Sequence, residues 1–242
     1  ALKPEIHSRM CTISYYPSED GFIMTQNRDE SPKRGVSGLA LEAGILFPKD
    51  IESSGTWIAT DALGRVISLM NGAFIPHEPT QLIMKSRGSI ISDLLKQDDI
   101  IATVLNMNLA DVEPFTLLIA ETGSLQCVRW DGQEKHIDTL DHKEPHFWSS
   151  SMLYPPVWQE RRKIWFMAWL DGRMEVSASD LRWFHNYGGE GDRLYDLIMD
   201  RGTVCTTSIT QVNVTSKSAI MRFKDLSTCI VEEKRLQVSQ QE

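Results

Sequence analysis

The sequence predicts an α+β fold in which mostly antiparallel sheets are covered by a few helices. Short runs of β-branched and aromatic residues, separated by turn residues, recur over 11–70, 115–130 and 204–223. Helical spacing of apolar residues is confined to the stretches between these strand regions. The chain therefore alternates between blocks of strands and blocks of helices, with no fixed-period repeat and no long linker rich in proline and glycine.

A hairpin opens the first block of strands. Residues 11–16 (CTISYY) and 21–26 (GFIMTQ) carry β-branched and aromatic side chains, and the PSED segment between them supplies the residues of a turn. A polar segment follows at 31–38. Further strands are then predicted at 44–47, 56–60 and 65–70.

The middle of the chain is predicted to be helical and then to return to strand. Over residues 82–96, apolar side chains that include Ile83 and Ile90 recur on one face of a helix, and a second helix is expected at 99–107. Two strands follow, joined by a Thr-Gly-Ser turn in which the glycine can adopt a positive φ. These strands are predicted at 115–121 and 125–130.

The last third of the chain is predicted to hold helices and a closing hairpin. Pro155 and Pro156 start a helix that ends near Trp169, because proline is favoured in the first turn of a helix. Shorter helices are predicted at 179–185 and 192–199, and the strands of the hairpin at 204–214 and 219–223. Two sheets between two helical layers fit this order of elements, and so does one sheet with helices on one side.

Composition and charge exclude several functions. With 242 residues, 41% of them hydrophobic, the chain is long enough for one sizeable domain. A formal net charge of -8 without a basic stripe argues against a nucleic-acid partner. No apolar run reaches the roughly 18 residues of a membrane span, and the first ten residues lack the apolar segment of a signal peptide. We therefore expect an acidic, soluble, cytoplasmic protein.

The cysteines and histidines do not form a metal motif. The four cysteines are scattered without a CxxC pair, which fits neither a zinc site nor a disulfide scaffold. His142 and His146 have the spacing of a helical metal pair, but Pro145 would break the helix between them. We expect no bound metal and no required cofactor. The sequence carries no signal for an oligomeric state.

The tetrapeptide NRDE, at residues 27–30, follows directly on the second predicted strand, and the first strand begins at Cys11. In this context the tetrapeptide resembles the signature of the NRDE family, the group that includes the transport and Golgi organisation proteins. The segment 47–72 is similar to that family's pattern of a Gly-Thr-Trp, a Gly-Arg turn and a strand ending in asparagine. Weaker similarities lie at 149–154 and 202–207, so the resemblance covers most of the chain.

The resemblance implies a fold and a domain organisation. NRDE proteins are similar to choloylglycine hydrolases and penicillin V acylases, which are N-terminal-nucleophile (Ntn) hydrolases. It follows that the chain should form a four-layer αββα sandwich of the Ntn-hydrolase type. Its single domain would span 11–232, between an N-terminal extension at 1–10 and a polar tail at 233–242.

The resemblance also implies a catalytic cysteine. In the acylases a cysteine at the amino terminus attacks an amide carbonyl, and its α-amine, with a pKa of about 8, takes the thiol proton directly or through one water. Cys11 would be that residue. A tight hairpin would bring Arg28 and Asp29 back beside Cys11, where the arginine would favour the thiolate and the carboxylate would orient the α-amine.

Three further residues complete the implied site. Asn71 ends the strand after the Gly-Arg turn and resembles the oxyanion donor of the acylases, because its side-chain amide donates hydrogen bonds without titrating. Asn27 and Ser150 are the candidates for contacts with the substrate. The implied reaction is hydrolysis of a non-peptide C–N amide bond in a small acylated molecule.

The sequence departs from the acylase pattern in two respects. Ten residues precede Cys11, so its α-amine is free only after the bond to Met10 is cut. Removal of an initiator Met10 would do this if the preceding residues are foreign to the protein, and self-cleavage of a propeptide would do it otherwise. Where the acylases use a second asparagine and a late arginine, this chain has the serines of 149–151 and Val204-Cys205.

Each candidate also has a structural explanation. A lone cysteine in an apolar strand is usually a small buried hydrophobe. Arg28 and Asp29 fit a structural ion pair at the end of a strand. Asn71 precedes Gly72, and Asn-Gly is the dipeptide most typical of a hairpin turn.

A second functional hypothesis is a non-catalytic binding or trafficking protein for haem or a lipid-like hydrophobic ligand. The NRDE resemblance implies this as well, since members of that family are connected with haem mobilisation and with lipid and Golgi homeostasis. A stripe of tryptophans on the helix after Pro156 fits either core packing or the wall of an apolar pocket. The candidate axial ligands for haem iron are Cys11, His77, His136 and His185.

Overall fold

The structure is a computed structural model that describes residues 10–77 and 87–239. In chain order its elements are β1 (Met10–Ser18), β2 (Gly21–Glu30), β3 (Val36–Glu42), β4 (Ile45–Asp50), β5 (Ile58–Asp61), β6 (Val66–Asn71), α1 (Arg87–Leu95), α2 (Ile100–Asn106), β7 (Phe115–Glu121), β8 (Ser124–Trp130), β9 (Lys135–Leu140), β10 (His146–Ser149), α3 (Pro156–Leu170), α4 (Ala178–Tyr187), β11 (Cys205–Thr215), β12 (Ser218–Asp225) and β13 (Val231–Gln237). None of the helices in these ranges is long and apolar enough to cross a bilayer.

The strands form two antiparallel sheets. The first sheet has the order β10-β1-β2-β11-β12-β13, and the second has the order β3-β4-β5-β6-β7-β8-β9. In the first sheet the amino-terminal hairpin lies at the centre, because β10 pairs with the free edge of β1 and β11 pairs with that of β2. This central position buries the end of the hairpin where Cys11 and the NRDE segment lie.

Three apolar cores hold four layers together. Ile13, Met24 and Val212 of the first sheet pack against Leu118 and other residues of the second sheet. Helices α1 and α2 cover the outer face of the second sheet. Helices α3 and α4 cover the outer face of the first sheet, mainly through aromatic residues such as Phe166. The order of layers is therefore helix, sheet, sheet, helix, which confirms the four-layer αββα prediction.

The predicted elements are mostly confirmed. The opening hairpin, the strands of both sheets at 44–70 and 115–130, and the closing hairpin all form, as do the helices after Asp99 and Pro155. Helix α1 begins at Arg87 in the described residues; the preceding part of the predicted helix, with Ile83, lies outside them. The segment 1–9, the greater part of the predicted N-terminal extension, also lies outside the described residues.

Four strands in polar segments were not predicted. The segment at 31–38 runs into β3, and β9 and β10 form after the second hairpin. The residues assigned to a polar tail from 233 onwards belong in part to β13, which pairs with β12. These strands lie at or next to the edges of the sheets, where side chains on one face remain in water and apolar alternation is weak.

The helix predicted at 192–199 is wrong. The chain there forms turns, because the Asp192 carboxylate accepts a hydrogen bond from the backbone of Leu194 at 2.9 Å. The Asp196 carboxylate in turn accepts hydrogen bonds from the backbone N–H groups of Glu190 and Gly191 at 2.8 and 3.0 Å. Aspartate side chains that bind nearby backbone in this way compete with helix formation.

Candidate active site

A cleft opens between the two sheets at the end of the opening hairpin, and we call it the Cys11 cleft. It contains about 390 Å³ of empty space including its mouth, of which about 30 Å³ is accessible to the centre of a water molecule. The inner part is therefore narrow in this conformation. The cleft is lined by Cys11, Arg28, Asp29, Asp50, Ser53, Thr56, Trp57, Leu69, Asn71 and Gly88.

The register of the hairpin places Cys11 beside the NRDE segment. Cys11 pairs directly with Arg28 across β1 and β2, and Met10 pairs with Asp29. Because side chains alternate along a strand, Arg28 lies on the same face as Cys11, between the sheets, whereas Asp29 lies on the face covered by helices. All four predicted catalytic residues are among those that line the cleft, with Asn71 contributed by the second sheet. The Asp29 carboxylate itself is bonded to Thr206 and Tyr154 on the helix-covered face.

The Cys11 thiol is buried and protonated in the described chain. Its residue is 4% exposed. Burial, and next the negative charge of Asp29, raise the pKa of Cys11 to about 12, against a smaller lowering by a hydrogen bond with Gln26 and by the Arg28 charge. While the bond to Met10 is intact, the sulfur is therefore not a thiolate near neutral pH.

Gln26 of β2 ties the first sheet to the second. Its Nε2 donates a hydrogen bond to the Leu69 carbonyl at 3.0 Å, and its Oε1 accepts one from Ser68 at 2.6 Å. The same side chain lowers the pKa of the Cys11 thiol, though by less than burial raises it. Sequence analysis did not single out this buried glutamine, because its partners lie more than forty residues away in the chain.

Arg28 is held in place by an ion pair and an aromatic ring. Its Nη2 lies 2.7 Å from Oδ2 of Asp50, and its guanidinium lies 4.6 Å from the centre of the Trp57 ring. Burial lowers the pKa of Arg28, while the charges of Glu30 and Asp50 oppose that effect. The arginine therefore presents to the thiol a charge that Asp50 already compensates in part.

Asp50 is the centre of a buried ion network that sequence analysis missed. Arg34 donates to both of its oxygens, at 2.7 and 2.9 Å, and the backbone N–H of Ser53 donates at 2.9 Å. Burial by itself would raise the pKa of Asp50, but the bonds from Arg34 and Ser53 outweigh it and hold the pKa well below its usual range. Asp50 thereby fixes both Arg28 and the Ser53 wall of the cleft.

Asp29 is fully buried on the helix-covered face of β2. Its carboxylate accepts hydrogen bonds from the Thr206 hydroxyl at 2.7 Å and from the Tyr154 hydroxyl at 3.3 Å. Burial raises the pKa of Asp29 to about 6, and the charge of Arg162 gives the largest opposing effect. The carboxylate is thus a base that titrates close to physiological pH.

Arg162 is another buried residue that sequence analysis missed. It is 0% exposed, and none of its three guanidinium nitrogens has a hydrogen-bond partner among the described residues. The guanidinium lies 3.9 Å from the centre of the Tyr154 ring, on the side of the first sheet where Asp29 is buried. It therefore compensates the Asp29 charge without a direct ion pair.

Asn71 offers an unpaired amide to the cleft. The residue is 2% exposed, and neither its Nδ2 nor its Oδ1 has a hydrogen-bond partner in the part of the chain that the structure describes. Asn71 pairs with Phe115 of β7, so Asn71-Gly72 does not form the two-residue turn of a hairpin. A buried donor without a partner is uncommon in folded proteins and is a candidate for binding a ligand atom.

The two residues predicted to contact substrate do not line the cleft. The Asn27 amide donates to the carbonyls of His185 and Leu197 at 3.0 and 2.8 Å, and its oxygen lies 2.7 Å from Nδ1 of His185. The Ser150 hydroxyl donates to the Asn71 carbonyl at 2.7 Å, and the Ser150 backbone N–H donates to the Cys11 carbonyl at 3.0 Å. Ser150 therefore joins the backbones of Cys11 and Asn71.

The candidate haem ligands are not brought together. None of the histidines in the described ranges lines the cleft. His185 is fully buried between Ser14 and Asn27, and burial lowers its pKa to about 3. His136 contacts Asp131 at 2.8 Å near the surface. Within the described residues no group of three or more metal-ligating side chains occurs.

Comparison with known proteins places the chain in a fold and matches it to one family model. The model described as transport and Golgi organisation 2 matches residues 10–181. No protein of curated function matches the chain in sequence.

The similar solved structures are Ntn hydrolases. A variant of the conjugated bile acid hydrolase of Clostridium perfringens, with a cysteine replaced by alanine, has a TM-score of 0.57 at 7% identity, covering 96% of this chain and 97% of that one. An arginine-to-leucine variant of the same enzyme has a TM-score of 0.56 at 8% identity, with the same coverage of both chains. The Caenorhabditis elegans orthologue of N-acylethanolamine-hydrolyzing acid amidase has a TM-score of 0.55 at 9% identity, covering 83% of this chain and 91% of that one. The fold is therefore of the Ntn-hydrolase type.

Proposed function

Because the chain belongs to the transport and Golgi organisation 2 family, and its fold is that of the Ntn hydrolases, we propose that it is a cysteine hydrolase. The substrate is a small acylated molecule with a non-peptide C–N amide bond. This choice is supported by the structural neighbours, which are named for hydrolysis of conjugated bile acids and of N-acylethanolamines. Cys11 is the nucleophile after the bond between Met10 and Cys11 has been cut.

Cutting that bond supplies the base that the buried thiol lacks. In the intact chain the nitrogen of Cys11 is an amide, and the pKa of the thiol stands at about 12. A free α-amine on the same residue takes the thiol proton and becomes an ammonium, and the sulfur then attacks the substrate carbonyl carbon. Asp29, at the strand position paired with Met10, orients this amine.

The rest of the cycle uses the same groups. The Nδ2–H of Asn71 donates to the oxyanion that forms when sulfur adds to the carbonyl. The C–N bond then breaks, the leaving amine takes the proton from the ammonium, and a thioester to Cys11 remains. A water molecule attacks the thioester, its proton passes through the α-amine to the sulfur, and the carboxylic acid is released.

The observation that carries the proposal is the unpaired amide of Asn71 in the cleft that Cys11 lines. A purely structural asparagine would have its amide paired within the fold, as Asn27 does. An oxyanion donor must instead stay free until the substrate arrives. Arg28 supports the same assignment, because its positive charge lowers the pKa of Cys11.

The test compares two forms of the protein. One form begins at Cys11, released by a protease that leaves cysteine first, and the other retains residues 1–10. Both are mixed with N-acyl p-nitroanilides of increasing acyl length, and intact mass is recorded during the first turnovers. The form that begins at Cys11 should gain the mass of one acyl group and release nitroaniline, and the longer form should do neither.

Matched variants locate the adduct. Cys11→Ser should remove the thioester, whereas Cys127→Ser, at another fully buried cysteine that does not line the cleft, should leave it intact. Absence of any adduct in the form that begins at Cys11, across the acyl series, would refute the proposal. Equal acylation of both forms would also refute it, because the α-amine would then have no role.

A further inference from the structure

A second pocket lies on the outer face of the first sheet, and we call it the Arg182 pocket. Arg222 and Lys224 of β12 lie on this face, because the alternating residues Met221 and Phe223 are buried between the two sheets. The pocket is therefore separated from the Cys11 cleft by the thickness of the sheet. About 240 Å³ of its space is accessible to the centre of a water molecule.

Strand register and helix geometry bring the lining together. Arg222 lies opposite Gln211 of β11, and Lys224 lies opposite Ile209. Arg182 extends from α4 towards the same two strands and bonds to the Gln211 side chain. Asn186, one helical turn further on, and Val231 of β13 complete the lining. Three cationic side chains from two elements thus converge on one cavity.

The positive charges in this pocket are mostly without carboxylate partners. Arg182 donates to the neutral side-chain oxygen of Gln211, and Lys224 Nζ donates to the neutral oxygen of Asn186 at 2.8 Å. Neither cation has an ion pair among the residues that the structure describes. Only Arg222 pairs with a carboxylate, that of Glu233 at 3.1 Å, and that pair is well exposed. The three cations and Glu233 together give the pocket a formal charge of +2, in a chain whose net charge is -8.

The fold holds Arg182 and Arg222 close together, and this is electrostatically unfavourable. Gln211 is 2% exposed, and its Nε2 donates to the Thr25 hydroxyl and to the Ala178 carbonyl, each at 2.9 Å, so its oxygen is fixed towards Arg182. Burial, and next the charge of Arg222, lower the pKa of Arg182. A solvated basic surface would let such side chains separate, whereas here the fold keeps them close.

We propose that the Arg182 pocket binds a phosphate monoester. Such a group carries a charge of about -1.5 to -2 near neutral pH, which matches the local charge of the pocket, and its oxygens accept hydrogen bonds from guanidinium and ammonium groups. Ile209, which is 3% exposed, and Val231 provide an apolar wall for the carbon chain of the ester. A soluble phosphate ester and the headgroup of a lipid share this chemistry.

Titration calorimetry at low ionic strength tests the proposal on the full chain. The probes are inorganic phosphate, glycerol 3-phosphate, and vesicles of phosphatidylcholine with or without phosphatidate. Glycerol 3-phosphate should bind saturably at one site, more tightly than inorganic phosphate because of the apolar wall. Binding to phosphatidate vesicles, but to neither soluble probe, would support the same pocket with a lipid as the source of the phosphate.

Two variants and a matched control assign the site. Arg182→Gln and Arg222→Gln should each weaken binding about tenfold, since each removes one charge-assisted contact to the phosphate. Lys143→Gln makes the same charge change at an exposed position beside β10, at the opposite edge of the first sheet, and should leave binding unchanged.

The unliganded variants provide a second measurement. Arg222→Gln should melt at the same temperature as the parent protein or higher, because it relieves the repulsion with Arg182 and removes only an exposed ion pair. The proposal is overturned if no probe binds saturably, or if Lys143→Gln weakens binding as much as the pocket variants do. Loss of stability in Arg222→Gln without phosphate would also count against it, since that cation would then be structural.

Discussion

Replacement of Asn71 by leucine should make the protein more stable while removing its proposed activity. In the native state Asn71 is 2% exposed and buries two polar atoms that have no hydrogen-bond partner among the described residues. A buried polar group without a partner is destabilising by about 1–3 kcal/mol. Leucine has a similar volume and no polar atoms, so we expect the free energy of unfolding to rise by about 1–3 kcal/mol.

Asn27 is the matched control, because it is also a fully buried asparagine in a strand. Its side chain makes three hydrogen bonds, two to the carbonyls of His185 and Leu197 and one with the His185 ring. Asn27→Leu would leave the His185 carbonyl and ring nitrogen without these bonds, and the Leu197 carbonyl would keep only a 3.3 Å bond from the Thr206 hydroxyl. The free energy of unfolding should therefore fall by about 3–5 kcal/mol.

Urea unfolding followed by tryptophan fluorescence measures both effects. With an m-value of about 2–3 kcal/mol per molar urea, the midpoint of Asn71→Leu should rise by about 0.5–1 M, and that of Asn27→Leu should fall. In the form that begins at Cys11, Asn71→Leu should also lower the turnover number by about 10²–10³, the usual effect of removing one oxyanion donor.

The stability prediction and the turnover prediction for Asn71→Leu can be refuted separately. If Asn71→Leu lowers the urea midpoint as Asn27→Leu does, the amide of Asn71 is a structural group and the argument from its missing partners is wrong. If the midpoint rises but turnover is unchanged, the stability argument holds and the oxyanion assignment is lost.

Three further predictions concern groups around the cleft, and all are measured by urea unfolding. Asp50→Asn should lower the free energy of unfolding by about 3–5 kcal/mol, because it removes the nearest carboxylate of two buried arginines. Asp93→Asn, in an exposed ion pair, should lower it by less than about 1 kcal/mol, and equal effects would contradict this reasoning. Burial raises the pKa of Asp29 to about 6 from about 3.9 in the unfolded chain. The folded state therefore binds the proton more tightly than the unfolded chain does. The free energy of unfolding of the parent, relative to that of Asp29→Asn, should fall by on the order of 2–3 kcal/mol as pH rises from about 4 to about 7. A difference between the two proteins that does not change with pH would refute this. Gly72→Ala should lower the free energy of unfolding by about 1–3 kcal/mol or more. The reason is that φ at Gly72 is +81° and the added Cβ would lie 2.5 Å from the Ser151 hydroxyl. An unchanged urea midpoint would contradict this, because it would mean that the turn relaxes around the new side chain.

Local sequence signals predicted the parts of the site that depend on neighbouring residues. The turn between the first two strands sets the hairpin register, and that register alone brings Cys11 and Arg28 side by side. The Gly-Arg turn and the following apolar run likewise predicted the strand that ends at Asn71. A hairpin is a local structure, so its pairing can be worked out from turn chemistry and alternation.

Contacts between distant segments could not be predicted in this way. Arg28 proved to pair with Asp50, Asn27 with His185, and Ser150 with the Asn71 carbonyl. Each polar side chain had several possible partners of the right type. The choice among them depends on which faces the sheets and helices turn towards one another, which sequence spacing does not contain.

By itself, then, the sequence determined the class of fold, the opening hairpin and four of the residues that line the Cys11 cleft. Tertiary structure decided the state of those residues: the Cys11 thiol is buried, Asp29 faces the helices and Asn71 is left unpaired. The physical reason is that pKa values and hydrogen-bond satisfaction depend on desolvation and on charges brought near by packing, and these exist only once the layers have assembled.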